Sequence, residues 1–277
     1  MGDPVGGWSP NDLYQDAAGG GTDSYIPPYH TGHTGWTVTG DYGRQLVLKD
    51  GEVGQFSAGW SNKVDLPGSG GADDYRQDIR GCNATPVGIA KEGETCAGYP
   101  PSGTTTAEAA AGCLGVSSGL SAGPTSQGVE SPGGGGGLSP LVAQDPGAQW
   151  SWSVAGPDGM TGGVVNGSGA LNMSSPRIRP VAVFDIARYM TNASCVNQAG
   201  TGCTVKVVNI IGFFVEGMCD SVESAGRLDP GVKCNPAKSI AKNEVVGRIV
   251  TLPGTYAAGA GAVEENAAFL EVVRLVR

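Results

Sequence analysis

Apolar positions gather in the second half of the chain, where their spacing reads as a series of strands. Residues 180–185 are one strand. Residues 205–215 are the most apolar stretch and read as a central strand buried on both faces. Residues 245–252 alternate imperfectly; residues 268–276 alternate enough for a terminal strand, with a helix as the alternative. The signals in the first half are weaker. Residues 44–49 form a short strand ahead of the Asp50-Gly51 turn, and a second strand is expected around 52–60. The segment 72–80 reads as a helix, with Asp73 and Asp74 in its first turn and Arg80 near its end, as the helix dipole favours. Tyr75 and Ile79 share one of its faces. Further helical turns are expected at 106–113 and 123–129. The class is α+β with β dominant: a mixed or antiparallel sheet, a few short helices and long Gly/Pro-rich loops.

Composition sharpens the loops. Of 277 residues, 48 are glycine and 18 proline, while 39% are hydrophobic, enough for a folded core. Residues 1–40 show no periodicity and read as an irregular N-terminal arm, which Trp8, Tyr25 and Trp36 can pack onto the body. Residues 41–277 are expected to form a single domain. Its five consecutive glycines, 133–137, read as a surface loop near 131–139, because fixing them would lose much entropy. Charged residues are sparse at 16%, with a net charge of −9. That balance argues against nucleic acid and against docking on anionic lipid, both of which need a basic surface.

The seven cysteines carry a compartment argument. No pair has the close spacing of a zinc site, and no Cys-x-x-Cys redox motif occurs. The short separations Cys82–Cys96, Cys195–Cys203 and Cys219–Cys234 suit disulfide closure, each worth roughly 2–4 kcal/mol. Cys113 is then left over, as a free thiol or an intermolecular partner; a swap pairing it with Cys82 or Cys96 is the alternative. Disulfides imply an oxidising, extracytoplasmic compartment, against the alternative of seven reduced thiols in the cytosol. Yet residues 1–4 open no apolar signal segment, and no run reaches the roughly 20 apolar residues that span a bilayer. The chain is therefore expected to be the exported piece of a longer protein whose targeting or membrane segment lies upstream.

Candidate chemistry is thin. His30 and His33 have an i, i+3 spacing that can chelate a metal with Asp23 or Asp41, but they sit among loop residues, and two loop histidines are the plainer reading. No Gly-x-Ser-x-Gly elbow occurs, and neither histidine lies near a nucleophile in sequence. Asp73 and Asp74 lack the spacing of a calcium loop and fit a helix N-terminus better. The glycine run lacks the Gly-Lys-Ser/Thr ending of a phosphate loop. Trp150 and Trp152 flank Ser151 and would share one face of a strand, which suits either packing or a sugar platform. No catalytic residue, cofactor or metal site is assigned.

An ordered series of segments carries a resemblance. Ala72-Asp73-Asp74-Tyr75-Arg76-Gln77-Asp78-Ile79 is followed by Cys82, then by Gly123-Pro124-Thr125-Ser126-Gln127-Gly128-Val129 and Leu141-Val142-Ala143-Gln144-Asp145-Pro146. Arg179-Pro180-Val181-Ala182-Val183-Phe184-Asp185, Val207-Val208-Asn209-Ile210-Ile211-Gly212-Phe213-Phe214-Val215 and Val246-Gly247-Arg248-Ile249 complete it. Over roughly residues 45–252 this resembles the C-terminal extracytoplasmic region of TadE/TadG-like proteins of the Tad (tight adherence, Flp-type) pilus-assembly system. The resemblance implies an upstream membrane helix, a location in the periplasm or at the cell surface, and a non-catalytic role in assembling or anchoring a pilus. The partners it implies are other pilus-assembly or envelope proteins. The Asp-x-Ser-x-Ser metal motif of a von Willebrand A domain, which some TadG-like proteins carry, does not occur. Two rival readings are a secreted hydrolase or sugar-binding protein, with Trp150 and Trp152 or His30 and His33 converging on acids, and an adhesive surface protein cross-linked through Cys113.

Overall fold

The computed structural model describes residues 38–50, 60–68, 72–81, 85–90, 96, 104–117, 122–131, 138–184, 203–234, 244–252 and 272–273. The helices are short: α1 (Val38–Asp41), α2 (Ala72–Arg80), α3 (Thr106–Ala110), α4 (Ala122–Val129), α5 (Leu141–Gln144) and α6 (Cys219–Ser224). The strands are β1 (Gln45–Asp50), β2 (Trp60–Asp65), β3 (Cys113–Ser117), β4 (Gln149–Ala155), β5 (Thr161–Val165), β6 (Ile178–Phe184), β7 (Cys203–Met218), β8 (Val245–Val250) and β9 (Val272–Val273). Seven of them form one mixed sheet, β1-β8-β7-β3-β2-β9-β6, and the added pairings β1–β2 and β7–β6 close it on itself. β4 and β5 form a separate hairpin. The fold is thus β-dominant α+β and disulfide-stapled, as the sequence pattern predicts.

β7 organises the sheet. Its sixteen residues, CTVKVVNIIGFFVEGM, are rich in the β-branched and aromatic side chains that fit a pleated surface. Its start pairs with β3, and its later part lies between β6 and β8, so that Gly212 stands opposite both Pro180 and Val250. The period-2 alternation then gives the sheet two apolar faces. Leu48, Val181, Val183, Ile211, Phe213, Val215, Val245 and Ile249 face Tyr75 and Ile79 of α2, Val129 of α4 and Leu141 of α5. On the other side Ile178, Phe214 and Val250 pack on Ala148 and Val164, the latter from the β4–β5 hairpin. Val47 and Val246, also on that side, pack on Cys219, Val222 and Cys234. Each large side chain buried here stabilises the fold by roughly 1.5–3 kcal/mol.

Hydrogen bonds fasten the helical layer. Arg80 is buried and donates to the carbonyls of Gln127, Ser131 and Leu138, while Gln144 donates to the carbonyl of Arg80 itself. Arg76 donates to Gln127 Oε1 at 2.7 Å, and Tyr75 and Thr125 share a hydroxyl contact at 3.4 Å. Asp145 Oδ2 accepts from Ser175 and Asn172. Glu130, just past α4, accepts from the Met218 amide and the Ser221 hydroxyl at the start of α6.

Several expectations shift. The second strand begins only at Trp60, where the 52–60 stretch was expected to end. The helix expected over 106–113 stops at Ala110, because Gly112 takes a positive φ of 79° and the chain turns into β3. β3 itself, CLGVS, is too short and too small in side chains to stand out as a strand. The arm expected to be irregular through residue 40 gives way to helix at Val38. The rest of that arm, glycines 133–137, and residues Cys82 and Cys195 lie outside the described residues, and with them the expected Cys195–Cys203 bridge.

The disulfides need one correction. Cys219–Cys234 is bonded, as its spacing predicts, but Cys96 is bonded not to Cys82 but to Cys113, one of the two swaps given as the alternative. Cys113 is therefore not the leftover cysteine, and the cross-linked adhesive reading loses its basis. Loop length could not decide this: closing a 17-residue rather than a 14-residue loop costs only about 0.2 kcal/mol more in chain entropy. Geometry decides it, since Cys113 opens β3 with its Cα 5.5 Å from that of Cys96. Two disulfides mark a chain that folds in an oxidising, extracytoplasmic environment. Peptide mapping under non-reducing conditions is expected to yield a Cys96–Cys113 linked peptide. Cys113→Ser should lower the unfolding free energy by roughly 2–4 kcal/mol in a urea melt; a Cys82–Cys96 peptide and an unchanged melt would contradict this pairing.

Candidate functional site

The side of the sheet away from the main helical layer carries the most distinctive cluster of side chains. Alternation along β4 places Trp150 and Trp152 together, their ring centroids 5.1 Å apart and the rings nearly perpendicular at 79°. The ring of Tyr42, just past α1, lies 5.4 Å from that of Trp150, and its hydroxyl donates to the Gly162 carbonyl on β5 at 3.2 Å. Gly43 and Gly162 both have positive φ, 75° and 85°, and both lie against the indoles. A Cβ at Gly43 would stand 2.6 Å from both tryptophan rings, so these two positions demand glycine for space as well as for backbone conformation. Trp152 stays 51% exposed, forming a ledge whose inner partner, Trp150, is mostly covered.

A charged network underlies the ledge. Arg248 of β8 is buried, with its guanidinium 5.5 Å from the Trp150 centroid and 5.7 Å from that of Trp152, a cation–π arrangement. It donates to Glu216 at 2.9 Å, to both oxygens of Asp229 at 2.7 and 2.8 Å, and to the Gly43 carbonyl at 2.9 Å. Gln45 donates to the second oxygen of Glu216 and to the Arg227 carbonyl, and its own carbonyl accepts from the Asp229 amide. Alternation along β7 brings Glu216 to the side of Phe214, next to the β7–β8 register shift between Val215 and Gly217. Arg177, also buried, closes the other side. It donates to the carbonyls of Val215, Glu216, Ala148 and Asp145 and lies 5.0 Å from the Phe214 centroid.

Electrostatics agree with this wiring. Burial works against the charge on Arg248, but Asp229 and Glu216 outweigh it and hold its pKa above the ordinary value. Burial, with the nearby charge of Arg227, pushes Arg177 down to about 10 against the pull of Asp145, Glu216 and Glu130, so it remains a cation at neutral pH. Burial pushes the Tyr42 hydroxyl up to about 12. Both carboxylates of the network are engaged as acceptors for arginine, which makes them structural ions. What the cluster offers to solvent is the indole of Trp152 and the part-exposed carboxylate of Asp229.

The residues singled out in the sequence fall as follows. Trp150 and Trp152 do share one cluster. His30, His33 and Asp23 lie outside the described residues. Asp41 is buried at the end of α1 and pairs with Arg44 at 3.2 Å. Asp73 pairs with Arg76 in the first turn of α2, in keeping with its reading as an acid of the helix N-terminus. Among the described residues, Cys219, Cys234 and Glu244 form one group of metal-ligating side chains, but its two sulfurs are bonded to each other and only the carboxylate remains. Sequence reasoning missed Tyr42, Gln45, Glu216, Asp229 and Arg248. The signal for two of them was a charge inside an apolar strand, since a charge buried there must find a partner. No helix among the described residues is long and apolar enough to cross a membrane. No family model, curated protein or solved structure matches the chain.

Two measurements test the cluster. Arg248→Met leaves Glu216 buried without its counter-ion and should cost about 3–5 kcal/mol of stability in urea unfolding. Arg248→Lys should recover only part, because an ammonium lacks the fork that reaches Glu216, Asp229 and the Gly43 carbonyl together. The Tyr42 hydroxyl should titrate near 12, seen as the absorbance component at alkaline pH that Tyr42→Phe removes. Because the folded pKa lies above the unfolded value of about 10, the unfolded chain loses this proton first. The hydroxyl's contribution to stability is thus complete below pH 10 and lost as pH rises toward 12, so Tyr42→Phe should flatten that alkaline decline.

Proposed function

We propose that the chain is a non-catalytic structural and interaction module of a Tad/Flp-type pilus-assembly protein, acting outside the cytoplasm and tethered by a membrane helix elsewhere in the full protein. The observation that carries this reading is convergence. The segments that resemble TadE/TadG-like proteins are scattered over more than 170 residues of sequence. Six of them meet in a single core: Tyr75 and Ile79, Val129, Leu141, Val181 and Val183, Ile211 with Phe213 and Val215, and Ile249. Polar residues of the first two segments also tie α2 to α4, Arg76 to Gln127 and Tyr75 to Thr125. The series therefore falls within one folding unit, as a shared architecture requires.

On this reading the fold is a rigid, disulfide-stapled body whose surface meets pilins or other envelope proteins. Rigidity suits that task, since a preorganised surface loses little entropy on binding. The test is made in the source bacterium. Disrupting the gene should remove Flp-type pili from the sheared surface fraction, with pilin still present in the cells, and the full-length gene should restore them. Normal piliation in the disrupted strain would overturn the assignment.

A further inference from the structure

The Cys219–Cys234 bridge has a third group beside it. Glu244, the residue ahead of β8, is fully buried, and its carboxylate and the two sulfurs lie within 4.8 Å of one another. Cys219, the first residue of α6, is equally buried, and Cys234 is 8% exposed. Val47, Val222 and Val246 pack around the two cysteines, with Leu228 and Val232 at the margin. Stapling the loop after α6 uses the sulfurs alone. The carboxylate adds a third ligand of a kind that metal ions take up.

Every chain is made with its cysteines reduced, and in that state the three groups are two thiols and a carboxylate converging from three places in the sequence. Two of them stay in register without the bridge, because the Cys219 amide donates to the Glu244 carbonyl at 2.8 Å. A tetrahedral zinc ion, about 2.3 Å from sulfur and about 2.0–2.2 Å from oxygen, sets its ligand atoms roughly 3.5–4 Å apart. That spacing lies inside the 4.8 Å spread of the group, so once the S–S bond opens a modest parting of the sulfurs makes the room. The donor set selects the ion. Two soft thiolates and one carboxylate suit zinc and its analogues cobalt and cadmium, whereas calcium and magnesium ask for oxygen ligands. Three protein ligands leave a fourth position for water, on the side of Cys234, which alone of the three reaches solvent. The apolar walls strengthen the attraction between the dication and its anionic ligands.

We infer that Cys219, Cys234 and Glu244 form a zinc site in the reduced chain, and that closing the disulfide expels the ion. Both forms close the same loop, so the ion holds residues 225–234 against α6 until the bridge is made. In the exchange a disulfide oxidant takes two electrons from the two thiolates, the protein S–S bond forms, the zinc ion leaves, and the oxidant takes up two protons to become a dithiol. A dithiol reductant reverses each step. The site does not depend on the pilus-assembly reading, since it is measured on the purified chain and piliation is measured in cells.

The test reduces the full chain with a phosphine, removes the phosphine without air, and titrates with Co2+, whose visible absorption bands report tetrahedral thiolate ligation. The parent should bind one Co2+ that Zn2+ displaces and that neither Cys219→Ser nor Cys234→Ser binds, and the oxidised chain should not bind it. Glu244→Gln should weaken this binding roughly tenfold or more. Circular dichroism of each variant that matches the reduced parent separates a lost ligand from a lost fold. Oxidised glutathione added to the zinc-loaded parent should release the ion to a chromophoric chelator as the Cys219–Cys234 linked peptide appears. No such bands in the reduced parent, bands undiminished in both serine variants, or an affinity unchanged in Glu244→Gln would overturn the inference.

Discussion

A carboxylate carried into the interior by the central strand is the constraint to which the far side of the fold answers. Glu216 sits near the end of β7, in a run that is otherwise apolar and buried. An ion removed from water there must be met by opposite charge and by hydrogen bonds on its remaining lone pairs. Arg248 meets the charge from the neighbouring strand, and Gln45 from β1 takes the other oxygen. Arg248 then has donors to spare, which go to Asp229 and to the Gly43 carbonyl. The loop after α6 and the turn after α1 are thereby fixed against the sheet. One buried charge thus ties together three strands and two connections that local sequence preference would leave loose.

The aromatic ledge follows from the same residue. Arg248 presents its guanidinium to Trp150 and Trp152, which draws the β4–β5 hairpin onto the sheet, and Tyr42 closes the contact through the Gly162 carbonyl. Arg177 does similar work one position away, binding carbonyls of β7 and of the segment that leads into β4. Val164 and Trp150 of the hairpin pack with Phe214 and Val250, and the cation–π contacts and the Tyr42–Gly162 hydrogen bond add to that burial. Cys219–Cys234 braces the adjacent patch, where Val47 and Val246 have only the small α6 layer to cover them.

Much of the fold was legible because it rests on local or periodic signals. Helix α2 announced itself by the acids of its first turn and the Tyr75–Ile79 face, and β7 by the density of its β-branched residues. What was not legible depends on distant partners. Cys96 and Cys113 meet because the fold brings their Cα atoms within 5.5 Å, a closeness that sequence spacing does not reveal. β3 carries too little side chain to signal itself, and the β4–β5 hairpin has a register shift between Ser151 and Ala155 that breaks its alternation. The Glu216–Arg248 pair was half-visible, as two charges inside apolar strands, but nothing local says that they face each other. Trp150 and Trp152 were visible as a pair, whereas Tyr42 and the two glycines that seat them were not.

The two sides of the sheet divide the work. The helix-covered side closes the main core, and Arg76, Arg80 and Gln127 hold α2 and α4 together above it. The ledge of Tyr42, Trp150 and Trp152 is built on the opposite side, over Arg248 and Asp229. On that side the buried clusters around Phe214 and Val246 fix the interior, and the outer half of Trp152 is the part that folding leaves in water. The aromatic surface is therefore the part of this architecture where a chain of this design can acquire its own binding preference. Arg248 is the residue through which any such change must remain compatible with the core.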